Sequence, residues 1–275
     1  DWLEPRPYQQ AAVNAWTNAK GQGILHMATG TGKTVTSLLA ASELAALQES
    51  RLALVVAAPY QHLVDQWAES VEEFGLTPIK AYGTRSMWID DAVAGATELA
   101  AGSRETFAII TTHTTFATDH FQRVVERLPG AETLLIGDEV HHMGSPHIRK
   151  ALPDSVRARL GLSATPERWY DEKGTEALTG YFLEGIVFEY GLAEAIENGY
   201  LCEYYYVPHI IQLTGDETEQ YQALSRAIGK RLAQANNDGN VSGSSAQTIE
   251  LDADESLQRL LFKRARLIGT AENKL

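Results

Sequence analysis

Met27-Ala28-Thr29-Gly30-Thr31-Gly32-Lys33-Thr34 joins an apolar run, residues 24–27, to an Ala- and Leu-rich run that ends at Leu47. This order predicts a strand, a glycine turn and a helix. The glycines of the turn allow successive backbone N–H groups to face one point, and the following helix adds the positive end of its dipole. The stretch therefore predicts a cradle for a polyphosphate.

The residues of this cradle have separate predicted roles. Lys33 can reach the outer phosphates, and the hydroxyl of Thr34 can hold Mg²⁺. The strict motif has glycine where this chain has Met27, so the match is incomplete. A glycine turn that only caps a helix is the alternative, and the motifs found downstream disfavour it. The predicted nucleotide contacts in the cradle are Thr29, Gly30, Thr31, Gly32, Lys33 and Thr34.

Composition and charge narrow the class of protein. The 275 residues are 44% hydrophobic and can bury one large core, or one core and an appendage. A net charge of −13 argues against a purely electrostatic nucleic-acid binder, although basic residues cluster within residues 149–159 and 259–266. Solvated helix faces are the alternative interpretation of both clusters. With one cysteine, no membrane-length apolar run and no leader pattern, we expect a cytoplasmic protein.

Apolar runs alternate with helical patterns along the first 165 residues. Such alternation predicts an α/β fold with a mainly parallel sheet flanked by helices. Ligands on these sheets bind beyond the carboxyl ends of the strands. The predicted strands are residues 24–27, 52–58, 79–82, 107–111, 133–137 and 157–162, with a continuous helix predicted over residues 112–128. The cradle, Pro59, Thr111, Thr112, Asp138, Glu139, Ser163 and Thr165 all follow predicted strand ends.

Asp138-Glu139-Val140-His141-His142 carries the second half of the chemistry. Asp138 can hold Mg²⁺ while Glu139 polarises a water for in-line attack on a phosphate. A surface turn with two acids and two histidines is one alternative. A dinuclear metal site on His141 and His142 is another, which is disfavoured because adjacent residues seldom point at one metal. Other histidines, including His26 and His113, are interpreted as polar residues without a chemical role.

A helix is predicted to begin near Glu4 and to run to Ala19, since proline is tolerated at a helix start. Its apolar residues recur at helical spacing and are interpreted as core packing. Gln9 is the exception, because a carboxamide that both donates and accepts hydrogen bonds suits the edge of adenine. Without the cradle downstream, Gln9 would be interpreted as an ordinary surface residue.

Taken in order, these motifs resemble those of superfamily 2 helicases of the DExH type, which commonly lack the first Walker glycine. Residues 6–9 resemble the Q motif, 28–34 motif I, 58–67 motif Ia, 111–114 motif Ib, 138–141 motif II and 161–166 motif III. Within the superfamily, the Ser-Ala-Thr-Pro continuation at residues 163–166 and the stretch of residues 188–201 look like the restriction-enzyme branch. That branch also resembles the excision-repair translocases, and most of its members act on duplex DNA.

The resemblance implies a role for each matching residue. Gln9, with Arg6, would bind adenine, Lys33 would hold the β- and γ-phosphates, and Thr34 and Asp138 would bind Mg²⁺. Glu139 would activate the attacking water, and His141 would link the γ-phosphate region to the nucleic-acid side. Ser163 and Thr165 would couple the nucleotide state to domain movement. The residues implied near the nucleic-acid strand are Pro59, Gln66, Thr111 and Thr112.

The resemblance also implies a domain organisation. Residues 1–190 are expected to form the first RecA-like lobe, and residues 191–275 an exit segment and helical hairpin leading to a second lobe of a longer chain. After residue 165 we predict strands at residues 185–190 and 203–213 and a short helix at residues 192–198. Long helices are predicted at residues 216–235 and 253–270, with a mobile loop at residues 236–245 between them.

The resemblance implies an ATPase that drives a helicase or translocase with ATP and Mg²⁺, most simply on duplex DNA, with RNA also possible. A nuclease or methyltransferase partner is expected, since neither chemistry is visible in this chain. The alternative is a nucleotide-gated module that binds DNA or a partner without motor activity. Because a second lobe would supply the arginine fingers, this chain alone is expected to be nearly inactive.

Overall fold

The structure, a computed structural model, describes residues 4–48, 51–165, 171–183, 185–205, 207–237 and 255–274. The strands are β1 (Gln22–Met27), β2 (Leu52–Ala58), β3 (Pro78–Ala81), β4 (Thr106–Thr112), β5 (Thr133–Asp138), β6 (Ala158–Ser163) and β7 (Ile186–Tyr190). The helices are α1 (Pro7–Asn18), α2 (Lys33–Leu47), α3 (Gln61–Glu73), α4 (Ile89–Ala100), α5 (His113–Phe116), α6 (Asp119–Val125), α7 (Pro146–Arg149), α8 (Glu172–Tyr181), α9 (Leu192–Glu197), α10 (Gly215–Asn237) and α11 (Glu255–Gly269).

The strands form one sheet in the order β3-β4-β2-β5-β6-β1-β7, and every pair of neighbours is parallel. This confirms the predicted α/β fold. The register aligns the strand ends, since Ala58 of β2 lies opposite Thr112 of β4 and Asp138 of β5 lies opposite Leu162 of β6. The carboxyl ends of four neighbouring strands therefore meet at one edge of the sheet.

Two apolar cores cover the two faces of the sheet, as the unbroken apolar pattern of β2 predicts. Alternate residues of β2 point to opposite faces: Leu54 and Val56 join one core, and Val55 and Ala57 the other. Helices α1, α2 and α3 cover the first core, and α4, α6 and α8 cover the second. With both faces covered, only the strand ends remain open to a ligand.

The helix predicted over residues 112–128 is divided into α5 and α6, which corrects that prediction. The side chain of Thr112 caps α5 by accepting from the backbone N–H of Thr115. The side chain of Thr118 caps α6 in the same way by accepting from Phe121. A threonine that bonds to the backbone ahead of it starts a new helix, so the chain turns between the two.

The strand predicted within residues 203–213 is wrong, because the described residues there have no regular structure. Tyr205 is 92% exposed and Ile210 is 95% exposed, and a strand needs a neighbouring strand for its backbone hydrogen bonds. The predicted strand at residues 185–190 and the short helix after it are confirmed as β7 and α9. Helix α8 and the turn-rich residues 140–149 were not predicted.

The chain divides into two compact units, residues 1–203 and residues 204–275. The second unit contains α10 and α11, as predicted for a mainly helical extension. The mobile loop was predicted over residues 236–245. Its first two residues belong to α10, which ends at Asn237, and the rest lie outside the described residues. Residues 191–203 belong to the sheet unit, where Ala195 is buried, whereas the predicted functional boundary at residue 190 stays a prediction. The described helices include none that is long and apolar enough to span a bilayer.

Arg159 does not lie on a solvated helix face but is buried in β6. Its guanidinium donates to the carbonyls of Val156, Tyr181 and Asp154 at 2.8, 2.8 and 3.0 Å and lies over the ring of Tyr181. These contacts join the start of β6 to the end of α8. Since an acceptor near the core that loses its donor is costly, the arginine helps to hold α8 against the sheet.

We predict that Arg159→Ala lowers the free energy of unfolding by roughly 2–4 kcal/mol, since three carbonyls near the core lose a charged donor. Arg157→Ala is the matched control, because Arg157 is exposed two residues earlier, and it should change stability by less than about 0.5 kcal/mol. Urea unfolding measures both. Equal, small effects of the two substitutions would show that the buried guanidinium contributes no net stability.

Candidate functional site

The turn between β1 and α2 has the backbone of a phosphate cradle. Gly30 has φ of 85° and Gly32 has φ of 78°, both in the left-handed region that favours glycine. Gly32 also needs its missing side chain, because a Cβ there would lie 2.8 Å from the side-chain nitrogen of Gln9. Thr31 closes the turn by donating its hydroxyl to the carbonyl of Ala28 at 2.6 Å. The first N–H groups of α2 therefore open onto the turn.

Lys33 folds back over this turn. Its ammonium donates to the carbonyl of Met27 at 3.2 Å. Met27 itself is the fully buried last residue of β1, which explains why a glycine is not needed at that position. A carbonyl is a weaker partner than an anion, so a phosphate bound in the cradle would compete for the ammonium.

The first turn of α1 packs directly on the cradle. The Tyr8 hydroxyl donates to the carbonyl of Thr31 at 2.7 Å, and the Tyr8 ring stacks on that of Tyr190 at 4.1 Å. Gln9 is buried, and its carbonyl oxygen accepts from the backbone N–H of Arg6 at 2.9 Å. Arg6 is exposed, and its guanidinium lies 4.9 Å from the ring centre of Tyr200. The predicted adenine contacts therefore lie beside the predicted phosphate contacts.

Asp138 ends β5 with both carboxylate oxygens hydrogen-bonded. The indole N–H of Trp67, on α3, donates to Oδ2 at 2.9 Å, and the backbone N–H of Glu139 donates to Oδ1 at 3.0 Å. Burial raises the pKa of the Asp138 carboxyl above its ordinary value, and the neighbouring charge of Glu139 acts in the same direction. The hydrogen bond from Trp67 and the charge of Lys33 lower this pKa. The charge of Lys33 therefore acts on Asp138 across the site.

Glu139 begins a turn that folds back on the sheet. Its φ of 45° and ψ of 54° are left-handed, which is uncommon and costly for a residue other than glycine. The 3₁₀ turn Val140–Gly144 follows and packs Met143 against Gly137, where a Cβ would meet its sulfur at 2.6 Å. This turn places the Glu139 carboxylate 3.5 Å from Nδ1 of His141.

His141 joins motif II to the end of β6. Its Nδ1 lies 3.0 Å from the hydroxyl oxygen of Ser163, which also accepts from the backbone N–H of Thr165 at 3.0 Å. The predicted coupling residues are therefore in direct contact with His141. Among the described residues, no group of three or more His, Cys, Asp and Glu side chains could hold a metal ion.

The residues predicted near nucleic acid lie along the same edge, and their contacts with it stay predictions. Thr111 is fully buried and donates its hydroxyl to the carbonyl of Ala81 at 2.7 Å, while Thr112 caps α5. Pro59 is half-buried after β2, and Gln66 is exposed on α3. The two threonine side chains thus have structural partners, and Gln66 is the more accessible of the polar side chains.

Sequence reasoning missed the roles of three buried side chains. Tyr8 lies in the first predicted helix, whose apolar residues are interpreted as core packing, and Trp67 lies in the stretch that resembles motif Ia, yet each donates a hydrogen bond to the site. His113 is buried, and Nε2 lies 3.2 Å from the carbonyl of Ala57 at the end of β2. Aromatic residues with a polar atom, placed beside a motif on an apolar face, are the signal that indicates such roles.

The residues present fit ATP and Mg²⁺. The cradle has open N–H groups and a lysine, and a carboxylate and a hydroxyl are the oxygen ligands that Mg²⁺ prefers. Thr34 is the second residue of α2, and the positive charge of Lys33 lowers the pKa of Asp138. Thr34 and Asp138 are therefore the residues that would hold the metal, with Lys33 on the phosphates.

Residues 2–168 match the family described as type III restriction enzyme, res subunit. A protein of Haloarcula marismortui described as a putative DNA 3'-5' helicase Rad25 is 31% identical over 245 residues, which cover 87% of this chain and 34% of the relative. A protein of a Sulfolobus islandicus filamentous virus, described as putative helicase 22, is 28% identical over 218 residues, covering 77% of this chain and 36% of the relative. The chain thus spans about a third of the length of these curated relatives.

Solved structures with the same fold include a restriction-modification enzyme and a helicase domain. The ATP-dependent type ISP restriction-modification enzyme LlaBIII bound to DNA gives a TM-score of 0.55 at 19% identity, covering 74% of this chain and 16% of that one. The Hef helicase domain of Pyrococcus furiosus gives 0.54 at 17% identity, covering 96% and 58%. At these identities the likeness shows the fold alone, and it agrees with the predicted RecA-like α/β fold.

His113 should make the folded chain sensitive to acid. Burial lowers its pKa to about 4, so as the pH falls through 6.5 the unfolded chain takes up a proton that the folded chain does not. Stability should therefore fall between about pH 6.5 and pH 4, by up to roughly 3 kcal/mol from this group. Urea unfolding across this range should give a shallower pH dependence for His113→Gln, whereas the exposed control His147→Gln should match the parent. Identical slopes in all three proteins would contradict the prediction.

Proposed function

Because the chain belongs to the family described as type III restriction enzyme, res subunit, we propose that it is the ATP-binding lobe of an ATP-dependent DNA helicase or translocase. One observation carries this proposal: a phosphate cradle with its lysine lies at the same sheet edge as two adjacent carboxylates. A glycine turn that only capped a helix would not require this second set of groups.

The proposed binding step uses the cradle and the groups beside it. The N–H groups at the start of α2 receive the phosphate oxygens, and Lys33 exchanges its bond to the Met27 carbonyl for a charged phosphate. Gln9 and Arg6 lie next to the cradle, where Gln9 offers amide donors to adenine. Mg²⁺, when bound by Thr34 and Asp138, neutralises phosphate charge.

In the proposed chemical step Glu139 accepts a proton from the attacking water. The water oxygen forms a bond to the γ-phosphorus, the bond to the bridging oxygen breaks, and ADP and phosphate result. His141 lies 3.5 Å from Glu139 and 3.0 Å from Ser163, so it can hold the carboxylate in place and pass a change in its position to the end of β6. The hydroxyl oxygen of Ser163 in turn accepts a hydrogen bond from the backbone N–H of Thr165.

DNA is the nucleic acid on which we propose that the protein acts. The Haloarcula relative is described as a putative DNA helicase, and LlaBIII is described as bound to DNA. Duplex DNA is favoured, and the exposed Gln66 and the nearby Pro59 are the proposed contacts. A second RecA-like lobe is the proposed partner within a longer protein, and a nuclease or methyltransferase module is a further proposed partner. The proposed location is the cytoplasm, which agrees with the free, exposed thiol of Cys202.

We predict that Glu139→Gln, made in the longer protein, still binds Mg²⁺-ATP but hydrolyses it roughly 10²–10⁴-fold more slowly, because the amide keeps the shape and loses the base. Lys33→Ala is the contrasting variant and should lose nucleotide binding, since the charged contact to phosphate is gone. Equilibrium binding and phosphate release measure the two effects. Full turnover by Glu139→Gln would show that another residue is the general base, and His141 is the next candidate.

We predict that this chain alone turns over ATP close to background, with little stimulation by duplex DNA. The groups that close over the γ-phosphate are expected from a second lobe, and an arginine finger contributes roughly 10³–10⁵ in rate. Phosphate release by residues 1–275, with and without DNA, should be compared with the longer protein. Strong DNA-stimulated turnover by the chain itself would contradict the one-lobe assignment. DNA-dependent nucleotide binding without turnover in the longer protein would instead favour the gated binding module.

A further inference from the structure

The orientation of the Asp138 carboxylate is set by two donors from different parts of the fold. Oδ1 accepts from the backbone N–H of Glu139 at 3.0 Å, within the same turn. Oδ2 accepts from the indole N–H of Trp67 at 2.9 Å, from α3. Each carboxylate oxygen can accept two hydrogen bonds or metal contacts, so one position on each oxygen remains for another partner. The two donors therefore decide where those remaining positions point.

Trp67 is itself held rigidly. It is 2% exposed and belongs to the core, on the same face of α3 as Val64 and Val71. A large ring packed on all sides has one rotamer available, so the direction of its N–H is set by the core. Asp138 lies at a strand end, where an unsupported carboxylate would turn about its side-chain bonds. Because the indole is fixed by the core, its hydrogen bond restricts the orientation of the Asp138 carboxylate.

We propose that Trp67 is a positioning residue that orients the Asp138 carboxylate for Mg²⁺. This inference rests on the proposed function, since Asp138 is the residue that would hold the metal. A hydrogen bond to a metal-ligating carboxylate typically changes metal affinity by about 10–100-fold when it is removed. The indole N–H of Trp67 donates to Asp138, and Trp67 acts through that carboxylate.

The chain contains matched control residues for this proposal. Trp16 is also 2% exposed, and its indole N–H donates to the carbonyl of Arg159 at 3.0 Å. Arg159 lies near the start of β6, at the other end of that strand from the candidate site. Trp88 is buried, and its indole nitrogen has no hydrogen-bond partner among the residues that the structure describes. Replacing each by phenylalanine removes the same atoms from a buried site. Trp67→Phe and Trp16→Phe both lose a hydrogen bond, and only the first loses one to Asp138.

The first experiment measures Mg²⁺ directly. A fluorescent ADP analogue is held at a fixed concentration with the full chain, and its anisotropy is followed while Mg²⁺ is added. For Trp67→Phe we expect the Mg²⁺ concentration at half-effect to rise by about 10-fold or more, with nucleotide binding in EDTA unchanged. Trp16→Phe and Trp88→Phe should keep the parental Mg²⁺ dependence. A parental Mg²⁺ dependence in Trp67→Phe would overturn the proposal.

The second experiment needs no tryptophan variant in the measured sample. The chain has five tryptophans, so a ¹H–¹⁵N spectrum shows up to five indole signals, and Phe variants of the other four tryptophans assign the Trp67 signal by elimination. The Trp67 signal should shift when Mg²⁺-ADP is added and also in Asp138→Asn, while the Trp16 signal stays in place. If the Trp67 signal does not respond to either change, the hydrogen bond does not report on the metal site and the proposal is wrong.

The two levels of the hypothesis fail in different ways. If the parent chain binds the ADP analogue without any response to Mg²⁺, or does not bind it, the proposed function fails and the role of Trp67 falls with it. If the parent responds to Mg²⁺ and Trp67→Phe responds equally, only the positioning role fails. Circular dichroism of each variant excludes unfolding as the cause, and the indole measurement on the parent decides the question if Trp67→Phe does not fold.

Discussion

The parallel register of β2, β5, β6 and β1 is the constraint on which the candidate site depends. Parallel strands with both faces covered by helices leave only their ends open to a ligand. The same register that pairs Asp138 with Leu162 brings the end of β5 beside the end of β6, where Ser163 lies. β1 pairs with the other side of β6 and delivers the cradle. Residues more than a hundred positions apart thus meet because their strands end together.

The site concentrates backbone strain and buried charge that the surrounding core supports. Glu139 has left-handed backbone angles, and Asp138 is a carboxylate whose pKa is raised by burial. Both cost stability, and such features persist where the neighbouring packing leaves no alternative conformation. Met143 against Gly137 and Trp67 against Asp138 supply that packing. Through these two contacts the cores of the sheet bear directly on the geometry of the carboxylates.

Sequence patterns predicted most of the sheet unit because its motifs are local. A glycine turn before a helix, and two acids after an apolar run, each depend on a few adjacent residues. The misses have equally specific causes. Thr118 starts a new helix inside a helical pattern through its own side chain, and residues 203–213 have strand-like composition without a strand beside them. The role of Trp67 was missed because an apolar position on a helix gives no indication of what its N–H meets.

What the sequence alone determined is the chemistry available: a phosphate cradle, a lysine, two carboxylates and their order along an α/β chain. These follow from residue type and short spacing, which are properties of a few neighbouring positions. Only the tertiary structure decided which of these groups meet. The indole of Trp67 on Asp138, Tyr8 on the cradle and His141 on Ser163 are long-range contacts. Their geometry depends on strand register and helix packing, and these are set by the whole core rather than by any local pattern.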